Sequence, residues 1–272
     1  MTAWPAPGKL NLFLHVLSRR PDGYHELQTV FRLIDAGDRV GIGLRADGEL
    51  RFSGVFGNEN LCLRAARLLK QESGSPLGAD LALEKRLPVG GGLGGGSSDA
   101  ATVLLVLNKL WHLGLKRIEL QEMAAKLGAD VPFFVFGENA LGEGIGERLT
   151  ALALEPAWYL VLDPQVTVST KEIFAVALTG GAKRLTIPPF FAGLGANDLE
   201  PIVTARYPEV AQALSWLRRR APKARMTGSG ACVFAEFASE KEARAVHAEL
   251  PRGRHGFVTR GLERHPLYDW VS

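Results

Sequence analysis

The sequence contains very little cysteine. Cys62 and Cys232 are the only two cysteines among the 272 residues, and they lie far apart in the chain. A disulfide-stapled domain needs several paired cysteines, and a structural zinc site needs closely spaced cysteine or histidine pairs. We therefore expect neither a disulfide framework nor a metal site of this kind.

Neither sign of charge dominates, and no apolar run is long enough to cross a membrane. The chain has 32 basic and 29 acidic residues, so its net charge is +3 and nothing predicts a nucleic-acid partner. The small net charge does not exclude a local basic pocket that binds phosphate groups. The first residues lack the basic-then-apolar pattern of a signal peptide. We expect a soluble, cytoplasmic protein with no membrane partner, present as a monomer or a weak homodimer.

Apolar residues make up 46% of the chain, and their order predicts an α+β protein. Residues 9–54 read mostly as strands, and the first strand, 9–16, alternates so that Lys9, Asn11 and Phe13 share one face. Helical and strand patterns follow one another through the rest of the chain.

A change of composition after residue 137 marks a boundary between two domains. The segment 138–152 is rich in glycine and polar residues, and the next apolar strand is predicted at 158–162. We place the boundary near Glu155, which gives an N-terminal domain of residues 1–155 and a C-terminal domain of residues 156–272.

Glycine is concentrated in one stretch, residues 87–101, which reads LPVGGGLGGGSSDAA. Glycine lets backbone N–H groups approach a ligand closely, and a loop that enters a helix presents free amides and a positive dipole end to an anion. A flexible linker is the alternative, but apolar segments flank the stretch on both sides. The predicted polyphosphate site consists of Pro88, Val89, Gly90, Gly91, Gly92, Leu93, Gly94, Gly95, Gly96, Ser97 and Ser98.

The apolar run 100–111 predicts a buried helix directly behind this stretch. Ser98 or Asp99 is the expected N-cap, because both residue types accept hydrogen bonds from the first turn of a helix. Such a helix would direct its positive end toward the glycines.

Three common nucleotide-binding motifs do not fit the glycine-rich stretch. Gly90, Gly92 and Gly95 match the spacing of the dinucleotide fingerprint, but six glycines in seven positions match many patterns, and no acidic strand end follows at the required distance. A P-loop needs a lysine after its glycines, and none is present there. The HRD and DFG signatures of protein kinases are also absent.

Three segments together resemble another class of phosphate-binding protein. KLN at 9–11, the glycine-rich stretch, and MTGSGA at 226–231 are similar to the three motifs of the GHMP kinases, small-molecule kinases that use ATP. The resemblance covers residues 5–237. It implies the two-domain GHMP kinase fold, with an N-terminal domain like the second domain of ribosomal protein S-five and a ferredoxin-like C-terminal domain. It also implies ATP and Mg²⁺ as cofactors.

Two further segments indicate which molecule accepts the phosphoryl group. RPDGYHELQTVF at 20–31 and LGADVPFF at 127–134 resemble the branch of this family that phosphorylates the 2-hydroxyl of 4-(cytidine 5'-diphospho)-2-C-methyl-D-erythritol. The resemblance implies that activity, with the 2-phosphate and ADP as products, in the non-mevalonate isoprenoid pathway. A homoserine or mevalonate-type kinase with the same phosphate site stays open, and so does a non-catalytic nucleotide-binding regulator.

The resemblance also assigns two catalytic residues. It implies that the carboxylate of Asp130 orients the acceptor hydroxyl and takes its proton, while the ammonium of Lys9 neutralises the transferring phosphate. From the residues alone, an N-cap is the more typical role of an aspartate before Val-Pro, and a single lysine on a strand is usually just solvated.

The acceptor pocket is predicted from Asn11, Tyr24, His25 and Phe174. Cytosine has a flat face and an edge of donors and acceptors, which suit aromatic stacking and a hydrogen-bonding histidine. The resemblance implies that the base stacks between Tyr24 and Phe174 while His25 contacts its edge.

On the nucleotide side, Ser98 is expected to place a hydroxyl near Mg²⁺, and no carboxylate is evident for the metal. Lys85 could approach the nucleotide from the strand before the glycines, although a solvated lysine is the alternative. Asn58 and Asn60 could lie near the adenine, or they could cap the next helix.

Overall fold

The computed structural model describes residues 1–54, 60–177 and 196–271. Its described elements form two β-sheets with helices packed on them. In chain order they are β1 (Thr2–Arg19), β2 (His25–Arg45), β3 (Leu50–Ser53), α1 (Leu61–Ser73), β4 (Gly78–Glu84), α2 (Gly95–Leu110), α3 (Arg117–Ala125), α4 (Val131–Phe136), β5 (Ala140–Gly144), β6 (Arg148–Ala151), β7 (Trp158–Asp163), α5 (Thr170–Ala175), α6 (Glu200–Arg206), α7 (Pro208–Arg218), β8 (Arg225–Met226), β9 (Val233–Phe237), α8 (Glu240–Ala248) and β10 (His255–Arg260).

The first sheet is organised around the long strand β2. Its order is β3-β4-β2-β5-β6, and β1 pairs with β2 along almost its whole length. The second half of β2 also pairs with β4, and its first half pairs with β5. The sequence pattern alone predicts two separate strands here, 26–33 and 39–44. They are one strand, because Gly37 and Asp38 stay paired with β1.

The second sheet has the order β10-β7-β9-β8, and its neighbouring strands are antiparallel. Its strands and helices follow one another as strand, helices, strand, strand, helix, strand. This is the ferredoxin-like arrangement that the family resemblance implies for the C-terminal half.

A shared core joins the two sheets. Leu10, Phe13 and Ile34 of the first sheet pack with Tyr159 and Phe234 of the second. The connection 152–157 runs from one sheet to the other. Because the C-terminal residues pack against the first sheet's core, the division at Glu155 stays a prediction.

Arg117 is one of the residues that hold the C-terminal segment 262–271 against the first domain. The Nη2 of Arg117 donates to the carbonyl oxygens of Tyr268 and Val271, both at 2.6 Å. Its Nη1 donates at 2.8 Å to the carbonyl oxygen of Val135, near the end of α4. The segment is therefore tied to the helix that follows Asp130.

The same segment buries His265, and this burial predicts a pH effect on stability. His265 is 2% exposed, and burial followed by the charge of Arg117 lowers its pKa to about 3. The unfolded chain takes up this proton near its ordinary pKa of about 6.5. As pH falls from about 6.5 toward 3, the unfolded state therefore gains protons first, and the free energy of unfolding falls by up to about 1.4 kcal/mol per pH unit.

The variant His265→Asn removes this titration. Its amide oxygen takes the place of Nδ1, which accepts the N–H of Leu267 at 3.0 Å. We expect thermal melts of the variant between pH 6 and 4 to show a shallower loss of Tm than the wild type. The exposed His255 provides the control, because His255→Asn should keep the wild-type slope. Equal slopes for His265→Asn and wild type would contradict the prediction.

Candidate active site

One cavity of about 670 Å³ brings most of the predicted site residues together. Lys9, Asn11, Asp130 and Phe174 line it. The part of the glycine-rich stretch that lines it consists of Pro88, Val89, Gly90, Gly91, Gly92, Leu93, Gly94, Gly95, Gly96 and Ser97. Residues that lie far apart in the chain therefore line the same cavity.

Helix α2 begins inside the glycine-rich stretch, at Gly95, rather than at residue 100. Its N-cap is Gly94, with φ of +70° and no side-chain cap, so the expectation of Ser98 or Asp99 as N-cap is wrong. The N–H groups of Gly95, Gly96 and Ser97 have no acceptor within the helix and belong to residues of the cavity wall. This geometry suits a polyphosphate.

Ser98 does not line the cavity. Its hydroxyl is completely buried and has no hydrogen-bond partner among the described residues, and its backbone N–H donates to the carbonyl oxygen of Gly94 at 2.9 Å. Because α2 starts three residues before Ser98, the side chain turns into the core instead of toward a metal. The serine of the stretch that lines the cavity is Ser97.

Strand β1 and the third glycine turn, residues 226–230, hold the loop from two sides. The N–H of Lys9 donates to the carbonyl oxygen of Leu93, and the N–H of Cys232, two residues after the turn, donates to that of Gly91, both at 3.0 Å. Within the turn, the hydroxyl of Thr227 donates to the carbonyl oxygen of Gly92 at 3.4 Å. The sequence segments with the three GHMP motifs are therefore in direct contact.

Gly94 allows a test of the loop's geometry. A Cβ added there would lie 2.9 Å from the ring of Phe134 and 3.1 Å from Cγ of Lys9. We expect Gly94→Ala to weaken ATP binding about tenfold or more, because the residue must leave its left-handed conformation and displace neighbours in the cavity wall.

Gly74 is the matched control for this substitution. It has a similar φ of +65°, but a Cβ added there would meet no described atom within 4 Å, and it ends α1 away from the cavity. Both alanine variants should lose about 1–2 kcal/mol of stability from backbone strain. Calorimetric titration should show weaker ATP binding for Gly94→Ala alone. Equal ATP affinities in the two variants would contradict a phosphate-binding role of the loop.

Lys9 and Asp130 lie next to each other in the cavity wall. Nζ of Lys9 lies 3.5 Å from Oδ2 of Asp130 and donates to Oδ1 of Asn11 at 2.5 Å. The Lys9 side chain is 3% exposed, whereas that of Asp130 is 34% exposed. Asp130 precedes α4 but makes no side-chain cap, so its carboxylate is directed to the lysine rather than to the helix.

A β-bulge determines which residues of β1 reach the cavity. The pairing of β1 with β2 shifts register between Asn11 and Phe13. Lys9 and Asn11 line the cavity before the shift, and Leu14 lines it afterwards. Phe13 lies in the core shared by the sheets. The expected uninterrupted alternation is therefore wrong, because the extra residue turns the strand's faces over.

Lys85 also lines the cavity, where it is held by two buried carboxylates. Its Nζ donates to Oδ2 of Asp38 and, at 2.9 Å, to Oδ2 of Asp99. Asp38 accepts in addition the backbone N–H groups of Arg86 at 2.6 Å and Leu87 at 2.8 Å. Burial raises the pKa of Asp99 to about 7 despite the lysine. Burial alone would lower the pKa of Lys85, but the two carboxylates outweigh it and raise that pKa.

Asn60 caps α1, since its side chain accepts the N–H of Leu63 at 3.0 Å. The same residue lines the cavity next to Leu61 and Cys62, so capping and a place near the nucleotide are compatible. Asn58 lies outside the described residues.

The aromatic end of the cavity contains only part of the predicted acceptor pocket. Phe174 lines the cavity, and its ring centroid lies 5.5 Å from that of His25. His25 is buried behind it and is not part of the wall, and burial, followed by the charge of Arg19, lowers its pKa. Tyr24 is 59% exposed and does not line the cavity either.

Several residues of the cavity wall were missed in the sequence. Leu27, Thr29 and Phe31 line it from alternate positions of β2, and a period of two in a strand predicts that they share a face. Thr170 lines it from the second domain, and its hydroxyl oxygen lies 2.7 Å from that of Ser229, which belongs to the third motif and also lines the cavity. No local pattern joins the last two, since 59 positions separate them.

The described residues contain neither a metal-binding cluster nor a membrane-spanning helix. No group of three or more histidine, cysteine, aspartate or glutamate side chains there could hold a metal ion. No helix in that part of the chain is long and apolar enough to span a membrane.

Comparisons with known proteins identify the family of the chain. The family model of the GHMP kinases N terminal domain matches residues 60–138, and that of the GHMP kinases C terminal domain matches residues 188–254. A curated 4-diphosphocytidyl-2-C-methyl-D-erythritol kinase from Nitrosospira multiformis is 59% identical over 98% of this chain and 94% of its own length.

Solved structures show the same relationship. The crystal structure of a 4-(cytidine 5'-diphospho)-2C-methyl-D-erythritol kinase is 36% identical, with a TM-score of 0.86 over 96% of this chain and 100% of that chain. A homoserine kinase from Cytophaga hutchinsonii has a TM-score of 0.72 at 17% identity, over 97% of this chain and 94% of that chain, and shows the fold alone.

The two β-sheets, the glycine loop before α2 and the matched domains define a small-molecule kinase. The chain belongs to the GHMP kinase family, and within it to the 4-diphosphocytidyl-2-C-methyl-D-erythritol kinases. The family, the fold class and the kinase activity predicted from the sequence are confirmed.

Proposed function

We propose that the chain transfers the γ-phosphoryl group of ATP to the 2-hydroxyl of 4-(cytidine 5'-diphospho)-2-C-methyl-D-erythritol. The products are the 2-phosphate and ADP. The observation that carries this proposal is the Lys9–Asp130 pair, 3.5 Å apart, in the cavity that the glycine loop and Phe174 both line.

In this reaction the protein mainly positions the reactants and neutralises charge. Asp130 orients the acceptor hydroxyl and accepts its proton, which its partly exposed carboxylate can reach. Nζ of Lys9 has three N–H donors, donates one to Asn11 and lies 3.5 Å from Oδ2 of Asp130, so that a donor remains for an oxygen of the transferring phosphoryl group.

Asn11 keeps the lysine in place. Its Oδ1 accepts from Lys9 at 2.5 Å, and its Nδ2 donates at 2.8 Å to the hydroxyl oxygen of Thr29 on the neighbouring strand. Because both ends of the amide are engaged, the ammonium cannot swing away from Asp130 without breaking a buried hydrogen bond.

The residues of the cavity fit Mg²⁺ that enters with ATP. Mg²⁺ at such sites is usually bound by substrate phosphates, waters and only one or two protein groups. Ser97, which lines the cavity, would hold it. When bound, the ion neutralises charge on the phosphates.

At the opposite end, the aromatic side chains bind the cytosine base. Phe174 and Tyr24 supply flat faces for stacking, and the lowered pKa keeps His25 neutral, with one donor and one acceptor nitrogen for the base edge. The exposed ring of Tyr24 would close over the base on binding.

The stacking role predicts a selective loss of acceptor affinity. Tyr24→Ala should raise the KM for the cytidine substrate by about tenfold or more, since a base–aromatic stack contributes about 1–3 kcal/mol. The KM for ATP should not change. Tyr24→Phe keeps the ring and should keep both constants. A loss confined to ATP would contradict this assignment of the two ends of the cavity.

A panel of acceptors tests the proposed reaction. ADP release is measured with the cytidine substrate, homoserine or mevalonate in turn. We expect rapid release with the cytidine substrate only. Release with homoserine or mevalonate instead would identify a different GHMP kinase, and ATP binding without substrate-dependent release would indicate a non-catalytic regulator.

A further inference from the structure

The third glycine turn is held by a buried asparagine that does not line the cavity. Asn197 is 5% exposed, and its Nδ2 donates to the carbonyl oxygens of Met226 at 2.9 Å and Gly228 at 2.8 Å. Its Oδ1 accepts the N–H of Leu199 at 3.0 Å. Two acceptors and one donor around the amide fix its orientation, and each of its polar atoms is satisfied.

The two carbonyl groups held by this asparagine flank Thr227, which joins two parts of the active site. The hydroxyl oxygen of Thr227 accepts the N–H of Asn11 at 2.9 Å and donates to the carbonyl oxygen of Gly92 at 3.4 Å. A Cβ on Gly228 would lie only 3.3 Å from Nζ of Lys9. The turn therefore contacts the strand of the lysine, its ammonium and the glycine loop.

The segment around the asparagine is also fixed to β1 directly. Leu14 donates its N–H to the carbonyl oxygen of Ala196 and accepts the N–H of Asp198, both at 2.9 Å. Oδ2 of Asp198 accepts the N–H of Val16 at 2.9 Å. The backbone of Asn197 is thus tied to the strand that carries Lys9, while its side chain holds the turn.

We propose that Asn197 is a positioning residue for phosphoryl transfer, which keeps the Lys9 ammonium and the glycine loop in register through the third glycine turn. This inference rests on the kinase function proposed above. Asn197 does not line the cavity, so its effect is on the geometry of the groups that do.

Asn197→Asp removes the two N–H donors with little change of shape. A carboxylate would place negative charge against two carbonyl oxygens, and the turn would have to move away. Because a misplacement of about 1 Å can cost about 100-fold in rate, we expect kcat to fall about 10- to 100-fold at pH 8. The KM for the cytidine substrate should change less than about threefold, because its proposed aromatic contacts do not involve the turn.

The pH dependence of this variant distinguishes positioning from simple destabilisation. Burial favours the neutral carboxyl, which regains one donor for a carbonyl oxygen when it is protonated. The kcat of Asn197→Asp relative to wild type should therefore rise as pH is lowered from 8 to 6.

Asn139 is a matched control. It is 3% exposed, its Oδ1 accepts the N–H of Leu33 at 2.8 Å, and its Nδ2 donates to the carbonyl oxygen of Leu262 at 2.8 Å. It does not line the cavity. Asn139→Asp should lower Tm by an amount similar to that of Asn197→Asp but leave kcat within about twofold of wild type.

Each outcome in steady-state ADP-release assays bears on the proposal. A selective loss of kcat in Asn197→Asp that is partly recovered at low pH supports it. Wild-type kcat in Asn197→Asp, or equal losses in the two aspartate variants, would overturn it. A wild type without substrate-dependent ADP release would instead overturn the proposed function, and this inference with it.

Thr227 keeps the proposal testable if Asn197→Asp does not fold. Thr227→Ser retains the hydroxyl between Asn11 and Gly92, whereas Thr227→Val removes it at nearly constant volume. We expect kcat to be retained in the serine variant and lost about tenfold or more in the valine variant. Equal kcat in the two variants would contradict the proposal that the turn positions Lys9 and the glycine loop.

Discussion

Replacing Asp130 with asparagine is expected to lower kcat by about 10²- to 10⁴-fold, the usual contribution of a positioned general base. The amide keeps the shape of the side chain but cannot accept the proton of the acceptor hydroxyl. Asp130 makes no side-chain cap to α4, so the helix should be unaffected and the loss should not come from unfolding. The KM for ATP should change little, because the glycine loop is untouched.

Asp35 provides the control for this experiment. It forms an ion pair with Arg260 at 2.9 Å, and its side chain is 48% exposed against 34% for Asp130. Asp35→Asn removes the same charge far from the cavity and should keep wild-type kcat. An Asp130→Asn enzyme with wild-type kcat would remove this carboxylate from the mechanism.

Replacing Lys9 with methionine is expected to lower kcat by about 10²- to 10³-fold, the typical cost of removing a donor that stabilises charge in the transition state. Methionine has a similar length and remains compatible with the buried stem, which lies close to Gly94. It cannot donate to Asn11 or to the phosphoryl group. Lys9→Arg should not restore activity, because the larger planar head does not fit where an ammonium is 3% exposed.

Lys70 provides the control for Lys9→Met, because its ammonium also donates hydrogen bonds within the protein. Its Nζ donates to the carbonyl oxygens of Ser75 at 2.9 Å and Leu77 at 2.7 Å, away from the cavity. Lys70→Met should lower Tm without changing kcat.

The double variant Lys9→Met, Asp130→Asn tests whether the two residues act as a unit. Its kcat should fall much less than the product of the two single losses of kcat. Multiplicative losses would contradict a shared role.

The chemistry of the site could be anticipated where residue type and local spacing carry the information. The run of glycines before an apolar helix predicts a phosphate site from backbone geometry alone, and Gly94 and Gly95 do form the start of α2. Lys9 and Asp130 were identified only by resemblance, because nothing in a single sequence places two residues so far apart in the chain beside each other. The structure brings them to 3.5 Å.

Other features depend on tertiary contacts that leave no local pattern. The bulge after Asn11 arises from pairing with β2, so the alternation of β1 could not reveal that Leu14 replaces Phe13 at the cavity. The early start of α2 turns Ser98 into the core, although serine is a favoured cap. The role of Asn197 depends on two carbonyl groups that belong to a later segment of the chain, those of Met226 and Gly228.

A crystal structure with a non-hydrolysable ATP analogue and the cytidine diphosphate substrate tests the central claim most directly. We expect the γ-phosphate in contact with Nζ of Lys9 and the 2-hydroxyl within about 2.6–3.2 Å of a carboxylate oxygen of Asp130. The triphosphate should lie on the N–H groups of Gly95, Gly96 and Ser97. A 2-hydroxyl bound out of reach of Asp130, or a triphosphate held elsewhere, would contradict the account.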